Sequence, residues 1–223
     1  RRKEGTLQVE KVGAIEGKHR NALKLYSLTG SYGILNESFA RQDIAMSRKL
    51  RTAGVRTYRP LALIALNEII DPEGKKVSIA EAKQQQLILP SETPVAEVRA
   101  YGTRNRIGDL EGPDGKMILE DARLLVAQEF GFDEKKFTKD AYALWFAKTL
   151  GANIGKLHAA HYAHGYLTDH NITLDCRIVD LDSVTSFHFK SRKEQRQFRG
   201  DDLSVAQATL RFLLSMMRFD SEK

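Results

Sequence analysis

Three oxygen-bearing side chains fall close together late in the chain: Asn171, Asp180 and Asp182. Amide and carboxylate oxygens are hard donors of the kind Mg²⁺ takes, and a metal held there neutralises phosphate charge that side chains alone cannot. The run leading into them is His164-Gly-Tyr-Leu-Thr-Asp169-His170-Asn171. It adds a carboxylate and an imidazole, Asp169 and His170. Asn171 precedes one short apolar run and Asp180 follows a second, with a Cys176-Arg177 turn between them. A β-hairpin there brings Asn171 and Asp180 to neighbouring ends. A hairpin with polar ends needs no metal, but it does not account for the helix-to-His164-Gly165 junction upstream.

Cations that suit phosphate lie earlier. Lys24 sits in Ala-Leu-Lys-Leu-Tyr, where burying an ammonium is costly unless it is paired. It either reaches a nucleotide phosphate or points to solvent from an edge strand. Arg99 lies on a predicted strand, and Arg106 in the basic, glycine-containing run Tyr101–Gly108, whose charge alone fits a solvated loop. His158, His161 and His164 are spaced three apart and invite a zinc reading. No Cys or carboxylate stands at a customary offset, so packing and capping are the simpler roles. Nothing marks Cys176 as a nucleophile.

The elements that must position these groups read as strands first and helices later, an α+β, two-lobed architecture. Strands are expected over Leu7–Ile15, Asn21–Leu28, Thr57–Leu66 and Val95–Ala100. Gly13 and Gly17 make a poor phosphate loop. Asn36 or Ser38 can cap a helix to about Thr52, which Gly54 ends. Its acids Glu37 and Asp43 are candidates to pair with Lys24. Asp71-Pro-Glu-Gly is a turn before a short polar helix near Ala80-Glu-Ala-Lys, and Gly112-Pro-Asp-Gly115 is a second turn. Helices follow over Met117–Phe130 and Lys139–Ala163, and a last one starts at Asp202 as N-cap.

With 223 residues, 42% of them hydrophobic, the chain can build one two-lobed domain. Mean hydropathy of −0.40 and 29% charged residues suit a soluble globular chain. No apolar run approaches the ~20 residues of a membrane span, and Arg1-Arg-Lys-Glu lacks the apolar core of a signal peptide. One cysteine excludes an intrachain disulfide and fits a reducing, cytoplasmic setting. The formal charge of +6 suits a polyanion such as a nucleotide and is too dispersed to point to nucleic acid.

The run from His164 to Asn171, a hairpin, then Asp180, resembles the catalytic loop and metal strand of protein-kinase-like folds, H-x-D-x-x-x-x-N followed by D-x-G or D-x-D. Tyr166 stands where that pattern has its Asp. The whole run resembles the selenoprotein-O family of protein adenylyltransferases, pseudokinases that transfer AMP from ATP to protein hydroxyls. Their H-G-x-x-N-T-D-N-x-x-x-x-x-x-x-I-D lies over His164–Asp180 without a gap. Gly54-Val-Arg-Thr-Tyr-Arg59-Pro-Leu is similar to their G-I-P-T-T-R-A-L, and Arg99 to Gly108 to their R-V-A-x-S-H-x-R-x-G. Leu23-Lys24-Leu is similar to their L-K-G, and Asp43 falls at their C-helix Glu.

The resemblance implies a two-lobed protein-kinase-like fold, with a β-rich N-lobe carrying one long helix over 1–102 and a helical C-lobe over 103–223. It implies ATP and Mg²⁺ as ligands, with Lys24, Arg99 and Arg106 on the phosphates and Asn171 and Asp180 on the metal. Asp182 adds a carboxylate. The acceptor is expected to be a protein or small-molecule hydroxyl, with no membrane and no nucleic acid as partner. The loop ends Asp169-His170-Asn171 where the family has T-D-N, so the acid is displaced by one residue and His170 fills its slot. Either His170 serves as base, or Asp169 swings in, or the chemistry is lost. Phosphoryl transfer and a non-catalytic pseudokinase are the competing expectations.

Overall fold

A computed structural model describes residues 34–71 and 74–218. The strands expected over Leu7–Ile15 and Asn21–Leu28, and with them Lys24, lie outside the described residues. Helices and strands both contribute, so the chain is mixed α/β. It divides into two compact units. The first holds the described residues to Gln42 with Leu61–Val98, and the second Asp43–Pro60 with the described residues from Arg99 onward. The division falls within α1 (Glu37–Thr52), β2 (Arg59–Ala65) and β5 (Pro94–Ala100).

In the first unit, β1 (Leu35–Asn36) pairs antiparallel with β5, Leu35 opposite Val95, and the sheet order is β1-β5-β2. A hairpin follows, β3 (Glu68–Ile70) with β4 (Lys76–Ser78), Ile69 opposite Val77. The sequence reading had only a turn there. The short α2 (Ile79–Gln84) matches its expectation and starts with a capping box, Ser78 accepting from Glu81 N and the Glu81 carboxylate accepting from Ser78 N. Ile69, Val77, Ala82, Leu87 and Ile88 form this unit's small core.

The second unit is helical around a buried loop. α1 ends at Gly54, whose φ of 77° is the left-handed turn that glycine adopts without strain. α3 (Gly115–Phe130) ends on Gly131 in the same conformation, and α4 (Lys139–Ala159) begins with Thr138 accepting from Ala141 N. One face of α4 is buried through Tyr142, Phe146, Leu150, Asn153, Ile154 and Leu157, the i, i+4, i+8 spacing of an apolar stripe. Each large apolar side chain buried there contributes about 1.5–3 kcal/mol.

Two helix limits differ from expectation. α4 stops at Ala159, not Ala163, because His161 takes φ 63° and Tyr162–Ala163 become a strand, β6, paired with β7 (Thr185–Ser186). The last helix, α5 (Arg192–Arg218), starts ten residues before Asp202. Ser191 and Glu194 supply its first turn with a capping box, Ser191 N donating to Glu194 and Glu194 N to Ser191 Oγ. Asp202 is therefore inside the helix, fully buried and aligned with Ala206, Thr209 and Leu213 on the inward face. Among the described residues no helix is long and apolar enough to cross a membrane.

Candidate functional site

Asp43, Arg99, Arg106, Asp169, His170, Asn171, Asp180 and Asp182 all belong to the second unit. The loop that carries three of them, Asp169, His170 and Asn171, is held from behind by Asp202. Its carboxylate accepts from His158 Nε2 at 3.0 Å, His164 N at 3.0 Å and Gly165 N at 2.7 Å. Burial raises its pKa, but these hydrogen bonds outweigh it and hold the carboxyl below its usual range.

His164 is wholly buried and links the loop to the strand before Asp180. Its Nδ1 accepts from Tyr166 N at 3.3 Å, so Nε2 carries the proton and donates to the Val179 carbonyl at 2.8 Å. Burial depresses its pKa more than the Val179 carbonyl and nearby acids raise it, so the ring stays neutral. The three histidines diverge. His158 meets Asp202, His164 meets Val179, and His161 lies edge-on to Phe187 and His188.

The hairpin forms between Asn171 and Asp180. Ile172 bridges Ile178, Val179 N donates to the Asn171 carbonyl at 3.0 Å, and Cys176 makes the turn at φ 58°. Asn171 and Asp180 therefore stand at neighbouring strand ends. Asn171 Nδ2 donates to the Tyr166 carbonyl at 2.9 Å, which leaves its Oδ1 without a donor among the described residues. Asp180 is exposed and sits at φ 64°, ψ 54°, a left-handed conformation that Asp tolerates better than most residues. Asp182 reaches solvent, yet desolvation, and then the charge of Asp180, push its carboxyl above the usual range against the pull of Arg99. Asp182, raised by burial and by the charge of Asp180, forms with Asp180 and a free amide oxygen a donor set that a cation relieves. Among the described residues no three His, Cys, Asp or Glu converge as a ready-made metal cage. Mg²⁺ needs none, since one or two carboxylates with substrate phosphates and water suffice.

Asp43 on α1 is nearly buried, ion-paired with Arg99, and accepts from Leu181 N at 3.0 Å. Arg99 also stacks over Tyr58, 4.4 Å from the ring centre. Glu37, the other candidate partner of Lys24, pairs with Arg41 in the first unit. Arg106 directs Nη1 to the His170 carbonyl at 2.6 Å, and Asp109 fixes its backbone. Arg106 thus braces the loop and is not wholly committed to a ligand. Gly108 N donates to the Asp169 carbonyl, and a Cβ on Gly108 would come within 2.7 Å of Asp169 Oδ2 and 2.9 Å of the His170 ring. Asp169 and His170 lie over that glycine, the carboxylate 3.7 Å from His170 Nε2. His170 is 74% exposed in its side chain and open to an incoming molecule. Cys176 is fully buried and burial pushes its thiol far up, which leaves no nucleophile there.

Asp202 is the residue that sequence reasoning misplaced, as a helix cap. Ser191-x-x-Glu194 was the available signal that the helix starts earlier, which puts Asp202 on its buried face. Neither a protein-family model nor a curated protein matches the chain.

Proposed function

We propose that the second unit is the catalytic unit of an ATP- and Mg²⁺-dependent transferase of kinase-like architecture, and that it transfers AMP to a protein hydroxyl. The observation that carries this reading is the placement of Asn171 Oδ1 and the Asp180 and Asp182 carboxylates at one end of a single hairpin. Two further features support the kinase-like reading. A later helix anchors the loop through Asp202, and the acid of a long helix, Asp43, holds the amide that follows Asp180. The selenoprotein-O resemblance supports AMP as the group transferred.

Asn171, Asp180 and Asp182 would hold Mg²⁺, which supplies neutralisation of the triphosphate charge. Arg99, close enough to Asp182 to draw its carboxyl down, and Arg106, through the part of its guanidinium that His170 leaves free, would face the phosphates. The acceptor hydroxyl attacks the α-phosphorus, the bond from that phosphorus to the bridging oxygen of the β-phosphate breaks, and pyrophosphate leaves with the electron pair. His170 takes the hydroxyl proton, and Asp169 beside it steadies the imidazolium that forms. Most of the rate enhancement is orientation and electrostatics.

The test is incubation with Mg²⁺ and ATP labelled at the α- or the γ-phosphate, for wild type and Asp180→Asn. Asn is chosen because Ala at φ 64° would add about 1–2 kcal/mol of backbone strain. Label from the α position only, lost in the variant, is expected. Label from γ would replace AMP transfer with phosphoryl transfer, and unchanged labelling in the variant would refute the site.

A further inference from the structure

A second cleft of about 580 Å³ lies in the same unit and shares no residue with the transfer site. Among the described residues five cations line it: Arg51 from the end of α1, Arg56 from the loop after it, Lys148 and Lys156 from α4, and Arg177 from the hairpin turn. Among the same residues no carboxylate lines it. Two acids stand behind two of the cations. Glu129 takes both Nη atoms of Arg56 and one of Arg177, and buried Asp175 takes Arg177 Nε at 2.6 Å. These contacts fix the two guanidinium groups, whose side chains are only 16% and 18% exposed.

Arg51, Lys148 and Lys156 have no acidic partner among the described residues; Lys156 donates to the Gly54 carbonyl at 2.9 Å. The floor is rigid as well. Asn153 is buried, accepting from Arg56 N and donating to the Cys176 carbonyl. Five cations against two acids leave like charges that repel one another, and an anion of high charge density removes that repulsion. The volume is that of a small-molecule site, and the cations converge on a concavity from four chain segments; a polymer would call for a stripe.

We infer that this cleft binds a small polyphosphorylated molecule, at a site separate from the one proposed for ATP. Guanidinium groups already oriented by Glu129 and Asp175 meet phosphate oxygens with little loss of side-chain freedom, and the two lysines and Arg51 add point charges around them.

The probe is inorganic triphosphate, titrated without metal and followed by calorimetry. Wild type should bind one equivalent at least tenfold more tightly than sulfate. Arg51→Glu and Lys148→Glu should each weaken it roughly ten- to hundredfold, the loss of a charged hydrogen bond. Both positions are exposed and lack ion pairs, so the variants should fold, which Trp145 emission checks. Asp180→Asn and the reversal of Lys193, which lies outside the cleft, should leave binding unchanged. Affinity equal to that for sulfate, or insensitivity to both cleft variants, overturns the proposal. So does a change of binding in Asp180→Asn, which would move the triphosphate to the transfer site. Failure of triphosphate with tight binding of polyglutamate or a single-stranded oligonucleotide also overturns it, in favour of a macromolecular partner.

Discussion

Replacing Asp202 should loosen the candidate site from a position that no substrate reaches. The buried carboxylate serves three donors, two of them backbone amides of the loop. In Asp202→Ala the His164 amide is left buried without an acceptor, at about 1–3 kcal/mol. Gly165 is exposed, so its amide regains water and adds well under that amount. His158, itself almost buried, loses its partner, for about another 1 kcal/mol. Removing a desolvated charge offsets part of this, and the net loss should be about 2–4 kcal/mol. Asp202→Asn can keep its oxygen toward His158 and His164, giving up only the Gly165 bond, so it should lose about 1 kcal/mol. The assay is urea unfolding followed by fluorescence. Trp145 is the sole tryptophan and sits on α4 in the same unit, so its emission reports this unit. A loss below 1 kcal/mol in the Ala variant, or equal losses in both variants, would refute the hydrogen-bond account.

Three other outcomes follow from the site. His164, with its pKa lowered by burial, binds a proton more readily when unfolded, so stability should decline as pH falls below about 6.5. The depressed Asp202 adds a second loss only below about pH 4, as pH falls through its folded value. An NMR titration in which the His164 ring protonates at or above 6.5 would contradict this. Asp182→Asn removes a carboxylate whose charged form the fold disfavours, so it should raise the urea midpoint at neutral pH while weakening Mg²⁺-dependent nucleotide binding; a lowered midpoint would count against the Asp180–Asp182 repulsion. Arg106→Gln gives up the bond to the His170 carbonyl, and turnover should fall roughly ten- to hundredfold with Mg-ATP affinity changed less. A loss confined to nucleotide affinity would make Arg106 a phosphate ligand and not a brace.

Local signals carried well where one short-range rule decided the outcome. The stripe Tyr142, Phe146, Leu150 along α4, the left-handed Gly54 after α1 and the Cys176 turn all follow from spacing or residue type. The errors arose where side chains supplied what no glycine or proline announced. His161 takes the left-handed position that ends α4, four residues before the expected limit, and no breaker marks it. Asp202 is an acid that resembles a cap until its distant partners are known; its bonds to His158, His164 and Gly165 span 37 to 44 residues. Of the candidate site, the hairpin that brings Asn171 and Asp180 to neighbouring ends was legible from the sequence spacing. The bond from Asp43 to Leu181, 138 residues away, was not, because nothing local ties an acid on α1 to an amide after a hairpin.

The backbone around Asp180 is held in its left-handed conformation by its neighbours. A non-glycine residue at φ 64° persists only where its surroundings over-determine it. Here three separate elements hold the two residues that flank it, Val179 and Leu181. Asn171 accepts from Val179 N, buried His164 donates to the Val179 carbonyl, and Asp43 accepts from Leu181 N. The side chain of Asp180 itself is the part left unclaimed among the described residues, exposed beside Asp182 and the free Asn171 oxygen. A turn needed only for chain reversal would be served by glycine with no such clamps. A backbone fixed on both sides with an open carboxylate supports the ligand-holding role proposed for Asp180. Asp180→Gly should therefore preserve the fold as judged by Trp145 emission and abolish stabilisation by Mg-ATP. A variant that unfolds would instead make the Asp180 side chain part of the scaffold.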